Sequence, residues 1–294
     1  MEINREELKR QARERIADTE PKFWMVALTY VAMTTGISWL LTLIPVPAGS
    51  FLQPFFQVLL TLYTAVIQFG MCLWALWTWR QLNPGIGSLV QGFSVAGRVL
   101  LMTLGVMIRV VGWYFIIALA LGTPVLLLII SGGGAGLGMF SFLLLVVGMV
   151  AVVIILKLRY ALAPFLLADR PDDGPVMPIL RSAVLMRGWK MELFKLELSF
   201  LGWEILNAAL ALAVNLFFLS QAGLLTEAAL LAPEWREQMI MVLYSVPAAI
   251  LSSLVTVPIY LWLLPYRAAA RAGFYDARLL LAEREDRFSK MPPL

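Results

Sequence analysis

The sequence predicts an all-α fold: a polytopic membrane helical bundle of six transmembrane helices, with short cytoplasmic amphipathic helices and both termini cytoplasmic. Three observations predict it. Of 294 residues, 61% are hydrophobic and 14% charged, against about 45–50% and about 25% in a soluble domain. The apolar residues collect in runs of about 20, each long enough to cross a ~30 Å hydrocarbon core. Of 23 Lys and Arg, only Arg236 falls in the three segments that successive hairpins place on the far side, and basic residues stay on the cytoplasmic side. Alternating ten-residue strands, the mark of a membrane barrel, are absent. In lipid the helix is the other way to satisfy every backbone group.

The elements follow in order. Residues 1–22 form a cytoplasmic amphipathic segment, helical over 4–20. Asn4 caps it and Glu7 completes a capping box. Glu6 and Arg10 are spaced for an i,i+4 pair. Leu8, Ala12 and Ile16 make a thin apolar stripe, as expected of a solvated helix lying on the membrane; a partner-docking helix is the alternative. Six acidic and six basic residues precede the first apolar run, which does not fit the short basic start of a cleavable leader.

The transmembrane domain runs over 23–266. Span 1 covers about 23–44, with Trp24 and Trp39 near its ends, where interfacial tryptophans sit. The loop 45–54 carries no charge. Span 2, about 55–79, ends in Trp74, Trp77, Trp79 and Arg80. Residues 81–97 read as a turn and a short amphipathic helix. Span 3, about 98–130, holds Arg109, and Gly122, Thr123 and Pro124 are expected to end or kink it. The stretch SGGGAGLG, 131–138, reads as a flexible outer loop. A phosphate-binding loop would need a Lys-Ser/Thr pair after it and a strand before it. Span 4, about 139–158, ends at Lys157 and Arg159, which can snorkel.

Residues 160–175 leave the membrane through a turn at Pro171–Pro175. Residues 176–190 form a basic surface helix in which Arg181, Arg187 and Lys190 are candidate contacts for lipid head groups. Span 5 is about 193–219. The outer loop 220–238 is acidic, with Glu227, Glu234 and Glu237 against Arg236. Span 6 is about 239–264; Pro247 and Pro258 are expected to kink it, with Ser252, Ser253 or Thr256 meeting the freed carbonyls. The tail, 267–294, is charged and helical until its last residues. Three times a surface helix feeds a span that hairpins back, and Gly-Trp recurs at 112–113 and 202–203, a faint sign of a triplicated hairpin.

Composition excludes several chemistries. The chain has no histidine and one cysteine, Cys72, which reads as a small buried hydrophobe. Disulfides within the chain are therefore excluded, as are zinc sites built from His and Cys and Ser–His or Cys–His nucleophile pairs. No cofactor or metal site is read from the sequence, and a non-enzymatic protein is expected. The net charge of +4 follows from the basic cytoplasmic face rather than from nucleic-acid binding.

The intramembrane charges are the candidate site. Arg109 lies 11 residues after Arg98, and Glu204 lies 11 after Leu193. Both helices run outward, so both side chains start roughly 16 Å deep at ~1.5 Å per residue. Span 5 also carries Asn207, and it places Glu197, Glu204, Ala208, Ala211 and Asn215 at spacings of 7, 4, 3 and 4, one helical face. Two readings stay open: a buried Arg109–Glu204 pair that fixes helix register, or a polar cavity that binds a cation, a proton or a cationic substrate.

One set of motifs is more specific. Ser182, Leu185-Met186-Arg187-Gly188, Lys190, Leu193-Phe194, Leu196 and Leu198-Ser199-Phe200-Leu201-Gly202-Trp203 resemble the bacterial integral membrane family catalogued as domain of unknown function 975. So do Pro265-Tyr266, Phe274-Tyr275, Gly92-Phe93, and Tyr160, Phe165 and Ala168-Asp169. The resemblance runs from the N-terminal basic helix to about Leu279. Glu204, directly after Gly202-Trp203, stands outside the pattern. The family has no assigned activity, so the resemblance implies a fold and a location in the bacterial cytoplasmic membrane.

Two functions are expected on these grounds: a non-enzymatic accessory, scaffold or lipid-organising subunit, or a small transporter or export permease with a cavity around Glu204 and Arg109. An intramembrane enzyme is the poorest reading. Membrane lipids are the expected partners, with a homo-oligomer or a membrane protein partner open.

Overall fold

A computed structural model describes residues 4–42, 52–131, 135–226, 229 and 232–289, and these form helices joined by turns and short irregular links. Residues 45–51 of the uncharged loop and 132–134 of the glycine stretch fall outside them. Helix α1 is Arg5–Ala17, capped by Asn4, whose Oδ1 accepts from the Glu6 and Glu7 amides at 3.1 and 3.3 Å. The expected capping box does not close. Glu7 accepts instead from Arg10 at 2.9 Å and Gln11 at 2.7 Å, so Glu7 rather than Glu6 holds Arg10. Leu8, Ala12 and Ile16 are buried in the core. The helix therefore docks its apolar stripe on its own chain, where the stripe has apolar partners to cover it.

The first span is α2, Phe23–Val31, a π-helical turn, Ala32–Gly36, and α3, Ile37–Thr42. Within it Thr34 and Ser38 hydroxyls donate to the carbonyls of Tyr30 and Thr34 at 2.8 and 2.9 Å. Helix α4, Leu52–Trp79, is the central mast: 44% of its most apolar window is buried, against 0% for the Ser88–Leu127 stretch. The short α5, Ser88–Gln91, and a 3-10 turn, Gly92–Val95, fold back onto it. Two glycines allow this. A Cβ at Gly70 would collide with the Leu89 carbonyl, and one at Gly92 would lie 2.7 Å from the Val66 oxygen.

Helix α6, Ala96–Ile130, runs unbroken through Pro124, which neither ends it nor marks a loop. A proline removes one backbone bond, and a long apolar helix in lipid has no water-solvated alternative to adopt. It packs along α7, Ala135–Arg159, where Leu121 meets Gly148. The last residues of the glycine stretch therefore begin a helix. Helix α8, Ala163–Asp169, a 3-10 turn, Pro171–Asp173, and α9, Met177–Leu185, follow.

The stretch expected to pass directly from a surface helix into span 5 is broken twice. Gly188, at φ +81°, stops it between α9 and α10, Lys190–Leu198. A tight turn at Ser199-Phe200 then separates α10 from α11, Leu201–Gln221. The span thus begins at Leu201, not Leu193. Helix α12, Trp235–Leu243, precedes α13, Val246–Ser289. Pro247 lies in the first turn of α13, where its missing amide costs nothing, so it marks a helix start instead of a kink. Pro258 and Pro265 lie inside α13. Thr256 donates to the Ser252 carbonyl at 2.8 Å and not to the carbonyl that Pro258 frees. At about 1.5 Å per residue α13 is roughly twice as long as a membrane core, so the charged tail continues the last span.

Among the described residues, six helices are long and apolar enough to cross a membrane: Phe23–Leu40, Pro54–Trp79, Ser88–Leu127, Met139–Asp169, Leu201–Gln221 and Val246–Glu285. Burial concentrates at one end of the bundle. One core joins α1, the last turns of α4, α8, α10 and the middle of α13; a second joins α4, α6, α7, α8 and α9. The repeated Gly-Trp pairs do not sit alike. Gly112 is deep in α6, whereas Gly202 is in the first turn of α11.

Candidate functional site: a layer of paired charges and stacked rings

Most residues of the sequence motifs meet in this buried end. Ser182, fully buried on α9, donates to the Arg159 carbonyl at 2.9 Å and accepts from the Leu162 amide at 3.3 Å. It thereby pins α9 to the turn between α7 and α8. Tyr275 of α13 donates to Asp169 of α8 at 2.6 Å, and its ring stacks on Phe165 at 5.6 Å. Arg80, just past α4, grips both Asp169 oxygens at 2.5 and 2.9 Å and reaches Asp276 at 2.7 Å. Its hydrogen bond to Asp169, then that to Asp276, hold the guanidinium above its usual range despite partial burial. One arginine thus ties three helices together.

A second cluster joins α10, α11 and α13. Arg267 donates to Glu197 at 2.7 Å and to Glu204 at 2.8 Å, and Arg271 also donates to Glu197. Burial alone would raise the Glu197 carboxyl. The hydrogen bond and charge of Arg271, with Arg267, reverse this and hold it below the usual range. The two helices that carry the carboxylates are separated by the Ser199-Phe200 turn, yet one arginine spans both.

The expected Arg109–Glu204 pair is not formed. Arg109 donates to the Gly105 carbonyl of its own helix at 2.8 Å. Gly105 abuts Ile179 of α9, so Arg109 lies about one helical turn beyond the buried layer. Glu204 is in the first turn of α11. The depth match fails because the span starts at Leu201. The expected polar face of span 5 is divided as well: Glu197 and Glu204 turn to α13, Asn207 is buried with its Oδ1 lacking a partner among the described residues, Asn215 is half-buried, and Ala208 is exposed.

The candidate head-group contacts part company. Arg181 is engaged by Asp173, Arg187 is exposed, and Lys190 is half-buried at the start of α10. Of the remaining motif residues, Gly188 supplies the left-handed turn and Ser199 donates to the Leu196 carbonyl at 2.7 Å. Gly202 is exposed, while Pro265, Tyr266 and Phe274 are buried. Trp203 meets Trp262 at 4.9 Å, Trp262 meets Tyr266 at 5.0 Å, and Tyr266 meets Phe200 at 5.1 Å.

Sequence reasoning missed Lys9 and Arg13, which lie over the rings of Phe200 and Tyr266 at 5.3 and 5.9 Å. It also missed Arg267 and Arg271, placed in the tail. Their i,i+4 spacing on one helix was the available signal. Arg15 lies over Trp79 at 3.9 Å beside a groove of about 490 Å³ between α1 and α13. Among the described residues, no three His, Cys, Asp or Glu side chains gather as a metal site.

Six apolar helices above a dense layer of ion pairs define a multi-pass membrane protein. The chain belongs to the family described as protein of unknown function (DUF975), which matches residues 1–280. No curated protein and no solved structure matches it.

Proposed function

We propose that this is a non-enzymatic integral protein of the bacterial cytoplasmic membrane, with both termini cytoplasmic, acting as an accessory, scaffold or lipid-organising subunit. The observation that carries this reading is the closure of Glu197 and Glu204 by Arg267 and Arg271. A carboxylate that binds a transported cation must be open to it. These are neutralised by their own chain. The basic distribution, with Arg236 alone in the far-side segments, supports the orientation.

The transporter reading keeps one specific support. Asn207 buries a carbonyl without a partner on α11, and Pro258 interrupts the backbone bonding of the neighbouring α13. The test is native mass spectrometry of the protein extracted with its own lipids in a nanodisc-forming polymer. A stoichiometric second polypeptide or a fixed lipid complement is expected. Solute flux in proteoliposomes that stops on Glu204→Gln would overturn the accessory reading.

A further inference from the structure

Arg5, Lys9 and Arg13 recur every fourth residue along α1, so they form one stripe. The stripe crosses the inner end of α11. Arg5 approaches Glu192 of α10 at 3.8 Å. Lys9 lies over Phe200, at the turn before α11, and Arg13 over Tyr266 of α13. Among the described residues, neither Lys9 nor Arg13 pairs with a carboxylate. The nearby carboxylates, Glu197 and Glu204, are equalled in number by Arg267, which bridges both, and Arg271, which holds Glu197. The two stripe cations are therefore the net positive charge of this corner.

Beneath them the rings continue. Phe200 and Tyr266 are buried, and the stack passes through Trp262 to Trp203, which is 42% exposed in the first turn of α11. Cations on top, indoles below and an apolar span further down reproduce the order of a phospholipid: phosphate, glycerol region and acyl chain. A soluble anion would need only the cations. The exposed indole beside an apolar span favours a ligand that also has a tail.

We infer that Lys9 and Arg13 bind the phosphate of one anionic phospholipid, whose glycerol and upper acyl chain lie against Trp203 and Trp262. The site deepens the lipid-organising reading above and rests on it. It also gives α1 a task, since a helix docked on its own core presents its basic stripe to lipid at a fixed height.

The test uses the full chain in detergent, titrated with phosphatidylglycerol or phosphatidylcholine and read by native mass spectrometry. Lys9→Gln/Arg13→Gln is expected to weaken binding of the first phosphatidylglycerol by roughly 30-fold, from about 1 kcal/mol per basic residue, with phosphatidylcholine unchanged. Trp203→Ala, which leaves every charge in place, is expected to weaken the same lipid several-fold. Equal phosphatidylglycerol binding by wild type and the charge-removed variant overturns the site. Displacement of the lipid by an equal concentration of soluble glycerol phosphate overturns the lipid as its ligand. Either result leaves the accessory reading standing, because that reading falls only to the flux assay.

Discussion

The Tyr275 hydroxyl reaches Asp169 at 2.6 Å across 106 residues of chain, and the Tyr275 ring lies on Phe165, four residues before that aspartate. Ring and hydroxyl therefore fix the same helix, α8, to α13. Tyr275→Phe keeps the stacking and removes the bond, so it should cost about 1–2 kcal/mol. Tyr275→Ala removes both and leaves a cavity, so it should cost about 3–5 kcal/mol. Thermal unfolding in one detergent measures both. Equal losses would mean that the hydroxyl, not the ring, carries the contact.

Backbone approach makes a sharper demand on α4. Any Cβ at Gly70 strikes the Leu89 carbonyl, and one at Gly273 comes within 2.5 Å of the Trp79 ring. Gly36, in the first span, has nothing within 4 Å. Gly70→Ala should therefore lower the melting temperature strongly or abolish folded yield. Gly273→Ala should be intermediate, because a ring can shift where a carbonyl cannot. Gly36→Ala should be neutral or slightly stabilising, since alanine is about 1 kcal/mol better than glycine within a helix. Fluorescence-detected size exclusion of the three variants ranks them.

The six spans were legible because a run of about 20 apolar residues has few fates other than crossing a bilayer. The stops inside them were not. Pro124, expected to end or kink its helix, and Pro258, expected to kink its own, both lie inside continuous helices, because lipid removes the competing solvated conformations. The real break, Ser199-Phe200, holds neither glycine nor proline. Its two residues close short backbone bonds to Leu196 and Glu197, a local choice that no periodicity announces. The candidate site inherited that error. Depth counted from Leu193 put Glu204 beside Arg109, and the tail assignment of Arg267 hid the partner that lies 63 residues away. Of the motif residues, Ser182, Tyr266, Phe274 and Tyr275 are buried.

Acid should loosen this layer through Glu197. Its carboxyl is held below the usual range in the folded protein, so protons bind the unfolded chain more readily. The stability it contributes is complete above the unfolded glutamate value and is lost as pH falls through the folded one. Melting temperature in detergent should be flat with respect to this group from neutral pH to about 5 and should fall below about 4. Glu197→Gln should start lower and decline less steeply over the acid range. A wild-type curve that declines no faster than the variant's would show that Glu197 is not the group responsible.

Double-mutant cycles separate the pair that forms from the pair that does not. Arg267 and Glu204 meet at 2.8 Å with about a third of each side chain exposed, so solvent screening limits their coupling to about 0.5–1 kcal/mol. Glu204→Gln with Arg267→Gln should show that coupling in thermal stability. Glu204→Gln with Arg109→Gln should be additive within about 0.5 kcal/mol, because Arg109 spends its hydrogen bond on Gly105. Arg109→Gln alone should be mild or neutral: it removes a charge from an apolar span and breaks only a contact within one helix. Coupling between Arg109 and Glu204 of about 1 kcal/mol or more would mean that the two side chains meet in the membrane as a register-fixing pair, and would overturn Arg267 as the partner of Glu204.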